Sequence, residues 1–274
     1  MIKASSVGSR PGLVVALVLG ATMPARAEGD HPQHPEAINN KDLPTHTQLT
    51  AALKAVVDVG GTNNAGFGLN MWATIVNRDG IVTAVTFSGN DRGDQWPGSR
   101  VISAQKANTA NAFSLPHLAL STANLFSAVQ PGGTLFGLQE SNPVDTSVAY
   151  KGLSKNYGQT NDPMVGNKIG GINVFGGGLA LYNNEGKLVG ALGVSGDTSC
   201  TDHIIAWKIR HALNFDNVPG GVSPTGDDNI IHDITLDSHG HPVSAGGFGH
   251  PDLGDLEKSI AASLPTNYPI GPNP

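Results

Sequence analysis

Two four-residue turns constrain this chain more than any other feature. Asn77-Arg78-Asp79-Gly80 divides LNMWATIV (Leu69 to Val76) from IVTAVTF (Ile81 to Phe87), and Asn183-Asn184-Glu185-Gly186 divides GGLALY from KLVGALGV. Each turn ends on a glycine, the residue that accepts a positive φ without strain, and each is flanked by β-branched and aromatic residues. Each therefore predicts a β-hairpin. The second hairpin, within Gly176 to Asp197 (GGGLALYNNEGKLVGALGVSGD), carries an unusual number of glycines. A glycine inside a strand removes a side chain where something must approach closely. Gly190 and Gly193 are such positions, and Gly176 to Gly178 mark a bulge or a rim; the approaching body is a helix, a second subunit or a flat ligand.

Helical periodicity fills the spaces around the hairpins. From Thr45 to Asp58, Leu49, Leu53, Val56 and Val57 share one helical face, and Gly60-Gly61 ends the run. Ser99 opens an alanine-rich helix to about Phe113, and Pro116 to Val129 predicts a second helix stopped by Pro131-Gly132-Gly133. Thr134 to Leu138 is expected as a fifth strand, and Asn142 to Lys168 as a long connecting loop. Ser199 with Asp202 three residues on resembles a capping arrangement, and Ile205, Ile209, Ala212 and Leu213 give that last helix a core face to about Asn214. The order predicts an α+β domain, a mainly antiparallel five-stranded sheet flanked by helices, and excludes alternating βαβ units.

The two ends read differently. Residues 1–27 have the parts of a secretory signal: Lys3 and Arg10, the apolar run Leu13 to Ala21, and the small-x-small site Ala25-Arg26-Ala27. The run is shorter than the roughly 20 residues a membrane span needs, so export to the periplasm or medium is expected, with Glu28 first in the mature chain. Removing the signal moves the formal net charge from -6 to -9, which excludes nucleic acid as a natural partner. No later segment reads as a membrane span. Residues 28–44 form a proline-rich leader, 45–214 the domain, and 215–274 a Gly-, Pro- and His-rich extension that wraps the domain or is partly disordered, with helical character only from Leu253 to Leu264. Cys200, the single cysteine, rules out an internal disulfide.

Three segments carry a resemblance to a known family: the first helix leading into IVNRDGIVTAV, QKANTANAF (Gln105 to Phe113), and GGLALYNNEGKLVGALGVSGDTSCTDHIIA. In the last, Gly190, Ala191, Gly193, Val194, Ser195, Gly196, Asp202 and Ala206 stand where the GlcG/HbpS haem-binding domains, related to the PduO C-terminal domain, carry their motif. The resemblance covers roughly Thr45 to Asn214. It implies a five-stranded, profilin-like sandwich, homo-oligomeric assembly, and haem binding with haem-degrading or redox-sensing roles. The segments Ser88 to Gly98 and Asn142 to Lys168 are longer than a minimal member needs.

Haem requires an apolar slot, an axial donor and cations near its propionates. Among the ten histidines, His117, at the start of the helix after Pro116, is the leading axial candidate. His46 opens the first helix. His203, Trp207 and His211 form an i, i+4, i+8 stripe on the last helix, facing away from Ile205 and Ile209. His203 and His211 stand about 12 Å apart at the helical rise, too far to share one iron, and a solvated stripe or subunit contact is the competing reading. Lys106, with Thr109 one turn on, is placed to meet a propionate, unless it is merely solvated. His239 and His241, with Asp237, are candidate metal donors in the extension. Cys200 near a helix start reads as a small packed residue. Gly193-Val194-Ser195-Gly196-Asp197 lacks the last glycine of a nucleophile elbow, and Gly176 to Gly178 enters a strand, unlike a dinucleotide loop. The sequence thus points to an exported haem-binding carrier, sensor or accessory subunit; the alternatives are a haem-degrading or other small-molecule enzyme and a ligand-free interaction domain.

Overall fold

The computed structural model describes residues 40–271, which lie within one compact unit, Ile38–Pro274. The expected secretory signal and most of the expected leader fall outside the described residues. Helix α1 (His46–Val56) starts at a capping box in which the Thr45 hydroxyl accepts from the Gln48 N–H and the Gln48 side chain accepts from the Thr45 N–H. Strands β1 (Trp72–Asn77) and β2 (Val82–Phe87) form the first hairpin. Helix α2 (Ser99–Phe113) follows, then the one-turn helices α3 (Leu138–Ser141) and α4 (Thr146–Ala149). The second hairpin is β3 (Gly178–Tyr182) and β4 (Leu188–Ser195), and α5 (Ser199–Ala212) comes next. The extension adds β5 (Ile234–Leu236), β6 (Pro242–Ser244) and α6 (Asp255–Asn267).

The two hairpin turns are built alike. Asn77 Oδ1 accepts from the N–H groups of Asp79 and Ile81, Asn183 Oδ1 accepts from those of Glu185 and Lys187, and Gly80 and Gly186 take φ of +75° and +72°. The hairpins join as one antiparallel sheet of order β2-β1-β4-β3, in which Trp72 stands opposite both Phe87 and Ser195. Alternation sorts the side chains to two faces. Trp72, Val76, Val85 and Ala191 meet Ala104, Ala107 and Ala110 of α2, while Ala73, Ile75, Leu192 and Val194 meet Leu49 and Leu53 of α1 and Ile204 and Ile205 of α5.

The glycines of the second hairpin serve this packing. A Cβ added at Gly193 would lie 1.9 Å from the Ser103 carbonyl oxygen of α2, and one at Gly178 would lie 2.5 Å from that of Lys106. At Gly193 and Gly178 the approaching body is therefore helix α2 of the same chain, which leaves no space there for a flat ligand, whereas at Gly190 it is strand β1, whose Val76 carbonyl oxygen would lie 2.1 Å from an added Cβ.

Two expectations are corrected. The main sheet has four strands, because Thr134 to Leu138 forms turns: Gly132 and Gly137 take φ of +84° and +87° and break the segment at both ends. A separate two-stranded sheet pairs β5 with β6. Pro116 to Val129 yields only two short 3-10 turns, Ala123–Leu125 and Ser127–Val129. There Ser121 bonds with Asn124, and the Thr122 hydroxyl donates to the Phe175 carbonyl and accepts from the Gly178 N–H, so side chains compete with helical bonding. The extension takes the first of its two expected courses and packs on the domain: Ala261 and Leu264 of α6 join the core beside α5, and Trp207 Nε1 donates to the Tyr268 carbonyl at 3.0 Å. Among the described residues no helix is long and apolar enough to cross a membrane.

Candidate functional site

The stripe on α5 faces protein, not solvent. His203 and Trp207 are buried, because the extension covers the side of α5 turned away from the sheet. The next member of the stripe, His211, ends in a different environment. Together with Lys208, one turn earlier on the same face, it lines a cavity of about 550 Å³ between the end of α1, the last turns of α5 and the inner face of α6. Val56, Ala212, Ile260 and Leu264 give it apolar walls; Asn64, Ser263 and Tyr268 add polar groups. The volume is in the range of roughly 300–1,000 Å³ typical of small-molecule sites.

His211 is held for a purpose. Its Nδ1 meets Asp216 Oδ2 at 2.7 Å, and its ring stands edge-on to Tyr268 with centroids 5.6 Å apart. Asp216 reaches it because Leu213 and Asn214, the latter at φ +58°, turn the chain back after α5. Burial pushes the Asp216 carboxyl up, and the bond from His211 opposes that shift. A carboxylate on one ring nitrogen fixes the imidazole's orientation and makes the other nitrogen a better metal donor. Nε2 has no hydrogen-bond partner among the described residues. Lys208 Nζ donates to the Asn63 carbonyl at 3.0 Å and to Asn64 Oδ1 at 2.7 Å, and lies 5.6 Å from the Tyr268 ring centroid. Partial burial lowers its pKa, opposed by Asp58. A ring nitrogen, a cation and a mixed polar and apolar lining thus meet at one half-open volume, a donor set that fits haem.

The other candidates stand apart from it. Lys106 is buried, neither solvated nor free for a propionate, with Nζ 2.6 Å from Asp202 Oδ2 and 3.3 Å from the Val194 carbonyl oxygen. Burial pushes the Asp202 carboxyl up to about 6, opposed by Lys106 and the Asp197 N–H. Thr109 is buried as well, donating to the Gln105 carbonyl and accepting from the Asn173 N–H. His203 Nε2 accepts from the Ile230 N–H at 3.2 Å, and its Nδ1 is buried without a partner. His46 Nε2 lies 2.9 Å from the Gly158 carbonyl oxygen. His117 is exposed in the Leu115–Leu118 turn rather than in a helix. His239 and His241 stack at 6.1 Å on an exposed hairpin, with Asp237 Oδ2 3.4 Å from His241 Nδ1. Among the described residues no group of three or more His, Cys, Asp or Glu is disposed to hold a metal ion. Cys200 is buried, and burial pushes its thiol up to about 12, so it is inert packing.

Sequence reasoning found His211 but missed Lys208, Asp216 and Tyr268. The first had a usable signal, since Lys208 and His211 are spaced i, i+3. The other two did not, because they reach the site only through the chain reversal after α5 and the docking of α6.

No curated protein matches the chain. Solved structures similar to it include a PduOC:heme complex (25% identity, 61% of this chain and 91% of that one, TM-score 0.41) and the Klebsiella pneumoniae protein ORFY of the DUF336 family (25%, 61% and 86%, TM-score 0.40). The structure of HbpS is a third, at 15% identity over 62% of this chain and 89% of that one, with a TM-score of 0.36. The family model described as "Haem degrading protein HbpS-like" matches residues 45–210. The match spans more than half of the chain and runs from the cap of α1 almost to the end of α5: the protein belongs to the HbpS-like family.

Proposed function

We propose that this protein binds haem in the cavity between α1, α5 and α6, with His211 as the axial donor and Lys208 facing a propionate. It acts outside the cytoplasm, in the periplasm or medium, as a carrier, sensor or accessory subunit. The observation that carries this reading is the His211–Asp216 pair at 2.7 Å on the wall of a cavity of about 550 Å³. Bound haem would supply an iron centre and a strong visible chromophore; the chain supplies the oriented imidazole, the cation and apolar patches on the walls of a half-open cavity. Export rests on the signal-like first 27 residues, and an exported mass starting at Glu28 checks it. Self-association rests on exposed apolar side chains such as Phe67, Phe136, Tyr150 and Leu153, and light scattering checks it.

Haemin titrated into the ligand-free protein should give a shifted Soret band that saturates at a fixed ratio. His211→Ala should remove or displace that band, while His46→Ala and His117→Ala leave it unchanged. An unaltered spectrum in His211→Ala would overturn the assignment. Haem degradation is the second reading, favoured by the description of the matching family. Loss of the Soret band with iron release under a reductant selects it; a stable complex selects the carrier or sensor.

A further inference from the structure

Two imidazoles dock the extension onto the family-matched part of the chain, and a third stands behind them. His203 of α5 accepts at 3.2 Å from the N–H of Ile230, in the extension, which it shares with Asn229 Oδ1 at 2.8 Å. His250, in the extension, accepts through Nε2 from the N–H of Gly176, just before β3, at 3.3 Å, and its Nδ1 lies 2.7 Å from the Pro251 carbonyl oxygen. The bonds cross the seam in both directions, each from a backbone N–H to an imidazole nitrogen. His232 stands behind them, its Nδ1 3.4 Å from the His250 carbonyl oxygen and its Nε2 buried without a partner. An imidazole nitrogen accepts only while it keeps its lone pair, so both stitching rings must be neutral. A proton added there turns the acceptor into a donor aimed at a donor.

The surroundings compensate that proton only in part: the Asn229 side chain favours it at His203 and the Pro251 carbonyl at His250, and burial outweighs both. Arg210, His250 and His232 face His203, and Arg210 is paired with Asp228. His232 and Lys106 face His250, with the Phe126 ring 5.2 Å away, and Lys106 is paired with Asp202. Asp252, Glu257 and Lys258 face His232, beside Asp233. Burial is the largest cause at all three rings: it holds His203 well below the ordinary imidazole range, His250 at about 4, and His232 lower than usual.

We propose that this seam is an acid-sensitive clasp: neutral His203 and His250 keep the extension docked, and acid releases it, withdrawing α6 and Tyr268 from the cavity. The consequence for ligand release rests on the haem reading above; the clasp itself does not. Both rings have lower pKa values docked than undocked, where the ordinary value is about 6.5. Docking is therefore fully favoured above about pH 6.5 and is lost as pH falls toward the docked values. Each ring raises the opening constant by up to about tenfold per pH unit in that window, about a hundredfold for the two together.

Hydrogen exchange of the full chain at pH 7.5, 6 and 4.5, corrected for intrinsic rates, tests the clasp. Peptides covering residues 229–268 should lose protection steeply below pH 6 while β1 to β4 keep theirs. His250→Gln keeps an acceptor for Gly176 but cannot titrate there, and should flatten the dependence by about tenfold per pH unit. Extension and strands losing protection together, an extension still protected at pH 4.5, or a wild-type profile in H250Q would each overturn the clasp. The Soret band of haemin-loaded samples separates the two readings. An extension that opens while haemin stays bound breaks only the link to the cavity, and absence of haemin binding at pH 7.5 breaks only the haem reading.

Discussion

Helices α2 and α5 cover opposite faces of one sheet, and they are finished in opposite ways. Both sides pair their buried cations, Arg100 with Asp162 and Lys106 with Asp202 of α5 on one and Arg210 with Asp228 on the other, but it is on the α2 side that a strand glycine, Gly193, brings backbone against backbone. On the α5 side, the extension rather than a strand supplies the opposing surface. There, among the described residues, lie all the buried side-chain atoms without a hydrogen-bond partner: His203 Nδ1, Arg210 Nε, His232 Nε2, Asp233 Oδ1 and Glu257 Oε2. Buried polar groups are normally satisfied, so this concentration marks a seam built less tightly than the other face. The cavity opens at the end of that seam. The α2 side is thus closely packed, and the α5–α6 side holds both the cavity and the unpartnered buried atoms.

The largest effect that could break this contrast is at Asp202. Its carboxylate accepts from Lys106 and from the N–H groups of Gly196 and Asp197. Asp202→Ala strands a buried ammonium and should cost about 3–5 kcal/mol, read as a lower urea midpoint. A loss under about 1 kcal/mol, the level of an exposed pair, would mean the α2 side is not locked by this pair. Gly193→Ala comes next. Its methyl would be driven into the Ser103 carbonyl of α2, and forced overpacking costs about 1–3 kcal/mol. Gly98→Ala is the control, since a Cβ there meets nothing within 4 Å and its φ is -64°. Equal stability of the two variants would show that the helix does not need the glycine.

What the sequence disclosed follows the same division. The hairpins were legible because a four-residue turn carries its own geometry, and α1, α2 and α5 because each buries a face at helical spacing. The glycines were legible as points of close approach, but not what approaches, since at Gly178 and Gly193 the contact is with Lys106 and Ser103 of a helix far back in the chain. Lys106 looked solvated because its partner lies on another element. His203 and Trp207 looked like a polar stripe because periodicity measures a helix against one core, whereas α5 is covered from two sides. Thr134 to Leu138 had strand-like residues, but the glycines beside it decided its course.

The smallest effect on stability should accompany a large effect on binding. Ser263 lies on the α6 wall of the cavity, half-buried, its hydroxyl donating to the Ile260 carbonyl one turn back. That bond is local, so Ser263→Phe should change stability by no more than about 0.5 kcal/mol, as for substitutions outside the core. The ring would occupy cavity volume and should weaken haemin at least about tenfold, equivalent to about 1.4 kcal/mol of binding. Titration of wild type and S263F at pH 7.5, with urea midpoints on the same preparations, reads both quantities. Weaker binding at constant stability places the ligand against α6, in the part of the molecule that the family match leaves out. Unchanged affinity would move the ligand out of this cavity and leave His211 and Asp216 as a structural tether for the end of α5.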